Sequence, residues 1–141
     1  LAFVGEIDPP EAVARDLGIP EGERAIVRRR VMLLNDKPVE LTDSYYTTSV
    51  AAGTALATPR KIPGGAVKLL ADLGYVGATV QESVTAQPAT DDERDALDLD
   101  DGEWVMTLAR LTLAADGTAI EASVMTMPAR QRRLLYTMKV G

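Results

Sequence analysis

A chain of 141 residues, 46% apolar and 26% charged, has the composition of one globular domain, large enough to bury a core without cross-links. It contains no cysteine and no histidine, which excludes disulfides, thiolate nucleophiles, the Ser-His-Asp triad and the usual zinc sites, so no metal or cofactor is expected. Fifteen basic against twenty-one acidic residues leave a net charge of −6, so the chain as a whole should be repelled by nucleic acid and anionic membranes. No apolar run nears the ~20 residues of a membrane span and no signal peptide is visible, which predicts a cytoplasmic protein with no membrane partner. Leu1 is not an initiator methionine, and the expectation is a piece of a longer protein.

In chain order, Pro9 and Pro10 precede Glu11 to Leu17, whose apolar residues recur at helical spacing until Gly18. Asp8 is the candidate N-cap. Residues 23–34 form a β-favouring run, Asn35-Asp36 a turn, and Val39 to Tyr46 a second run, together a hairpin. Ser49 to Ala57 reads as a short helix ended by Thr58-Pro59. Gly64-Gly65 opens a helix over Ala66 to Leu73, with Val67, Leu70 and Leu73 as its apolar stripe and Gly74 as its stop. Val76 to Thr85 alternates as an extended strand.

The stretch Asp91 to Glu103 holds eight carboxylates, which invites a calcium loop. Counted from Asp98, however, Gly102 falls on position five where position six is needed. Thr90 with Glu93 instead makes a capping box, and Asp91 and Asp92 suit the positive end of a helix running to Leu97. Glu103 to Ala114, an Ala115-Asp116-Gly117 turn and Ala119 to Met127 form a second hairpin, and Arg133 to Val140 a last strand. The fold class is α+β, an antiparallel sheet carrying helices. A shift of 80 residues pairs Leu17 with Leu97, Gly22 with Gly102, Arg30 with Arg110 and Leu33 with Leu113. A shift of 81 then pairs Val39-Glu40 with Ile120-Glu121, predicting an internal pseudo-two-fold repeat.

Arg30, Arg110, Glu40 and Glu121 occupy equivalent places in the two hairpins. Arg30 shares a strand face with Ile26, Arg28, Met32 and Leu34, and a charge among apolar neighbours needs a polar pocket or an ion pair. Both readings stand: a ligand contact, or a cross-strand Arg–Glu pair on the sheet surface. In Arg60-Lys61-Ile62-Pro63-Gly64-Gly65, two bases and two glycines at a helix start leave N–H groups open to an anion; the other reading is a basic, flexible loop. Arg28-Arg29-Arg30 and Arg130-Gln131-Arg132-Arg133 are basic, but with four Tyr, one Trp and one Phe for stacking, pairing with the acidic helix is the expectation rather than nucleic acid.

The segments Pro10 to Glu23, Arg28 to Val39 and Asp43 to Thr47, then Gly53 to Gly65, Thr90 to Leu97 and Asp116 to Glu121, are similar in order and spacing to the UTRA effector-binding domain. That domain forms the C-terminal half of GntR-superfamily transcription regulators of the HutC branch. The resemblance covers nearly the whole chain. It implies a chorismate-lyase-like fold, a homodimer, a small-molecule effector, and operator DNA bound only through an N-terminal winged helix-turn-helix absent from these 141 residues; the basic Arg60-Lys61 loop points to an acidic effector. It implies no catalysis; the alternatives are a chorismate-lyase-like enzyme or a dimerisation module without ligand. The family's Arg-x-Arg places Arg30 at the first arginine and Met32 at the second. Its Ser-x-Tyr positions hold Gly65 and Val67, the aromatic after the last hairpin is replaced near Met127, and its hairpin glutamate is Glu121. The candidate ligand-binding residues are therefore Arg30 and Glu121 with Lys61, Gly64 and Gly65, supplemented by Arg110, Glu40 and Tyr46. The run Val124-Met125-Thr126-Met127 is expected to need cover by the dimer partner.

Overall fold

The computed structural model describes residues 2–141. The order is β1 (Phe3–Ile7), α1 (Glu11–Leu17), β2 (Ala25–Leu34), β3 (Lys37–Thr47), α2 (Thr48–Ala51), a 3-10 turn at Ala55–Ala57, and α3 (Gly65–Asp72). There follow β4 (Gly77–Pro88), α4 (Asp91–Leu97), β5 (Trp104–Ala114), β6 (Ala119–Pro128) and a 3-10 turn at Ala129–Gln131. The six strands form one antiparallel sheet in the order β1-β2-β3-β6-β5-β4. No helix among the described residues is long and apolar enough to cross a membrane.

Period-two alternation gives the sheet two differently covered faces. Val27, Tyr45 and Ala122 pack under Val13 and Leu17 of α1. On the opposite face Ile26, Tyr46 and Ile120 meet Val50, Ala51, Leu56 and Leu70, so α2, the 3-10 turn and α3 cover only part of it. Asn35 and Asp36 both take positive φ (51° and 64°), the conformation a two-residue hairpin turn requires, which is why this polar pair could be read as a turn.

The registers of the two halves correspond under the shifts seen in the sequence. Phe3 faces Arg29 as Ser83 faces Ala109, and Ile26 faces Tyr46 as Met106 faces Met127. The irregularities fall at Met32/Leu33 and at Thr112/Leu113, and Asp43 faces Val124 in the central pair. We propose a pseudo-two-fold axis through that central pair.

Five expectations are corrected. Pro10, not Asp8, is the N-cap of α1, and no side chain caps it, because Asp8 lies two residues too early to reach the first-turn N–H groups. Ser49 to Ala57 is broken into α2 and a 3-10 turn. On α3, Ala66, Leu69 and Leu70 face the core at i, i+3 and i+4, while Val67 stands 79% exposed and Leu73 is exposed too. Residues 133–140 form no strand, and β1, which sequence reasoning missed, takes one edge. Val124 to Met127 lies in β6, paired on both sides, so that run is no edge.

Candidate functional site

The face covered by α3 carries Arg28 and Arg30 from β2, Ser44 and Tyr46 from β3, and Glu121 and Ser123 from β6, on one side by register. A cavity of about 540 Å³ opens between this face and the start of α3, lined by both arginines, Ser44, Tyr46, Lys61, Ile62, Gly64, Gly65 and Ala66. Five of the sequence candidates therefore come together: Arg30, Tyr46, Lys61, Gly64 and Gly65.

The two arginines are bound differently. Arg28 is buried, and its guanidinium donates to four backbone carbonyls, those of Ala55 (3.3 Å), Leu56 (3.1 Å), Thr58 (2.8 Å) and Arg60 (2.8 Å). It clamps the segment that carries Lys61 onto the sheet. Burial pushes its pKa below the usual arginine value, with nearby Tyr46 opposing and Arg30 adding to the fall. Arg30 donates only through one terminal nitrogen, to Ser44 Oγ at 3.3 Å. Its Nε is buried without a hydrogen-bond partner, alone in this respect among the side-chain atoms of the described residues. A buried donor left unmade costs about 1–3 kcal/mol, so a ligand atom accepting there is favoured.

Glu121 lies behind this front rather than on the cavity wall. Tyr46 Oη donates to its Oε2 at 2.6 Å and Ser123 Oγ to its Oε1 at 3.0 Å. Ser123 has one proton and gives it to Glu121, so in the 3.0 Å Ser44–Ser123 contact Ser44 is the donor. A directed chain thus runs Arg30, Ser44, Ser123, Glu121, linking cation to carboxylate through two hydroxyls. Burial, then the charge of Glu121, pushes the Tyr46 phenol well above its ordinary value, and it stays a donor.

At the cavity mouth Gly64 and Gly65 adopt φ of +81° and +87°, which side-chain-bearing residues rarely take. Gly65 N–H is spent on Ile62 O at 3.0 Å, and no side chain caps α3. The residual first-turn N–H groups and the helix dipole add positive potential beside Lys61.

The remaining candidates lie elsewhere. Arg110 is paired with Glu82 of β4 at 2.7 Å. Glu40 holds Arg132 at 3.2 Å and accepts from Thr42 at 3.0 Å. No Arg–Glu pair forms at Arg30, whose register partner is Thr42. Arg29 pairs with Asp43 at 3.0 Å, so the arginine triplet is not used on the acidic helix. A larger cavity, about 780 Å³, is lined by residues of the β2–β3 turn, the end of α4 and residues 128–132. Its Arg130 and Arg132 are neutralised by Glu103 and Glu40. Sequence reasoning missed Arg28, Ser44 and Ser123 as structural partners; the alternation of Arg28 with Arg30 was the available signal.

The sheet thus leaves one face partly open over a cation-lined cavity. The UTRA domain model matches residues 3–132, and the chain belongs to the UTRA family. It is 33% identical over 124 residues to an HTH-type transcriptional regulator of Streptomyces coelicolor, covering 86% of this chain and 46% of that protein. The chain thus spans about half the length of that curated relative. Among solved structures it is similar to a GntR-family transcriptional regulator, with a TM-score of 0.88 at 25% identity, over 99% of this chain and 58% of the other. It also resembles the C-terminal domain of the histidine utilization repressor from Pseudomonas syringae pv. tomato, with a TM-score of 0.78 at 23% identity, covering 99% and 96%. A protein described as the ligand-binding domain of a GntR-family regulator from Bordetella bronchiseptica shares the fold, with a TM-score of 0.80 at 18% identity, over 98% and 89%.

Proposed function

We propose that this chain is the effector-sensing and dimerisation domain of a cytoplasmic transcription regulator of the HutC type. It takes a small acidic metabolite in the 540 Å³ cavity. Binding there biases how the dimer presents winged helix-turn-helix domains to operator DNA. The observation that carries this reading is Arg30, whose buried Nε has no partner beside a cavity that also receives Lys61. An arginine fork suits a carboxylate or phosphate, and both Glu121 oxygens already accept from the protein. A ligand rich in acceptors fits better than one rich in donors. Coupling requires that the effector bind one dimer arrangement more tightly than another.

The same commitments argue for a receptor over an enzyme. Glu121 is engaged twice and the Tyr46 phenol is held protonated, so neither is free as a general base. A thermal-shift panel of carboxylates and phosphate esters tests the reading, with chorismate included and 4-hydroxybenzoate release followed. At least one acid should raise the melting temperature without turnover. Arg30→Ala should weaken that acid by about one to two decades, Glu121→Gln by less, and Arg15→Ala on α1 not at all. Binding of equal strength in wild type and Arg30→Ala would move the effector elsewhere.

A further inference from the structure

The hydrogen-bonding groups that face the cavity are unbalanced. Donors are plentiful: the unpartnered Arg30 Nε, the Lys61 ammonium and the first-turn N–H groups of the uncapped α3. Acceptors are scarce. Among the described residues that line the cavity there is no carboxylate and no amide side chain. The carbonyls of Ala55, Leu56, Thr58 and Arg60 are held by Arg28, and that of Ile62 by Gly65 N–H. Glu121 lies behind the wall with both oxygens engaged. What is left is Ser44 Oγ, which accepts from Arg30 and donates to Ser123, and the Tyr46 oxygen, which donates to Glu121. Each of these can accept one further hydrogen bond. The wall toward α3, formed by Ile62 and Ala66, is apolar.

We propose that the effector is an acid group on an apolar body free of hydrogen-bond donors, an aliphatic or aromatic acid, and that polyol acids and amino acids are rejected. This rests on the cavity being the effector site and narrows what enters it. The acid oxygens accept from Arg30 and Lys61 in charge-assisted bonds, and the body lies against Ile62 and Ala66. A sugar acid brings a hydroxyl on each carbon of its body, and only Ser44 and Tyr46 can accept from them. Each buried donor left unmade weakens binding by about a decade. An amino acid brings an ammonium among Arg28, Arg30 and Lys61 with no carboxylate on the wall to pair with it. Selectivity of this kind comes from what the wall lacks, and the acid head alone does not supply it.

Acids matched in carbon count test this. Hexanoate and gluconate share a carboxylate head, and norleucine adds only an ammonium to hexanoate. Propyl phosphate and glycerol phosphate make the same comparison with a phosphate head. Titrated into the isotope-labelled chain and followed at the Arg30 Nε–H signal, hexanoate should bind at least about tenfold more tightly than gluconate or norleucine, and propyl phosphate likewise more tightly than glycerol phosphate. Hexanol, which lacks the acid, should leave that signal unmoved, and Arg30→Ala should remove most of the hexanoate affinity. Gluconate, norleucine or glycerol phosphate binding as tightly as its apolar counterpart, with the Arg30 signal moving, would overturn the donor-free class and leave the cavity standing as the effector site. No movement of Arg30 Nε–H with any of these acids at about 10 mM would overturn both.

Discussion

Two arginines on one strand face, two positions apart, divide the labour of the site. Arg28 holds four carbonyls of residues 55–60, and Arg30 keeps a donor in reserve. Arg28→Ala strips those carbonyls of their partner and should lower stability by about 3 kcal/mol in urea unfolding, where Arg30→Ala costs affinity with little stability. A second consequence concerns alkali. Burial and Glu121 raise the Tyr46 pKa in the folded state above the ordinary 10.0. The associated stability is complete below the unfolded value and declines as pH rises above it toward the folded one. Melting temperature should therefore fall between pH 10 and 11, more steeply in wild type than in Tyr46→Phe. An equal slope in the two would show that Tyr46 does not carry the alkaline loss. Arg30 was legible in the sequence because a charge in an apolar strand face needs a reason. The roles of Arg28, Ser44 and Ser123 were not, since they depend on which strands β2 and β6 flank and where residues 55–60 fold back.

At the scale of elements, the two helices related by 80 residues start differently. α4 has a full capping box, with Glu93 N–H donating to Thr90 Oγ1 at 3.2 Å and Thr90 N–H donating to the Glu93 carboxylate at 2.9 Å. α1 starts on Pro10 without a side-chain cap. Thr90→Ala should cost about 1 kcal/mol in chemical denaturation, while Asp8→Ala leaves the midpoint unchanged. A large loss from Asp8→Ala would mean that Asp8 caps the helix after all. The hairpins, both helix ends at glycine or Asp98, and the capping box were readable because each is set by residues within four positions of one another. The orientation of α3 and the fate of residues 133–140 were not. The first depends on which side of Gly65–Asp72 meets Tyr46 and Ile120, and the second on contacts distant in sequence such as Tyr136 with Glu82.

For the molecule as a whole, the strand order runs inward from both edges to the β3–β6 pair, and the site sits off that centre under α3. The corresponding region of the other half has Leu108 and Arg110 where the first has Arg28 and Arg30. Arg110 is already paired with Glu82, so similar backbones present one open cation rather than two. The most direct test of the account labels this chain with 15N and titrates it with the acid giving the largest thermal shift, following backbone amides and the arginine Nε–H signals. The account predicts that the Arg30 Nε–H signal and the amides of Lys61, Ile62, Ala66 and Val67 move together and saturate with one ligand. Shifts confined to Lys37, Asp98, Arg130 and Arg132, around the larger cavity, would contradict it.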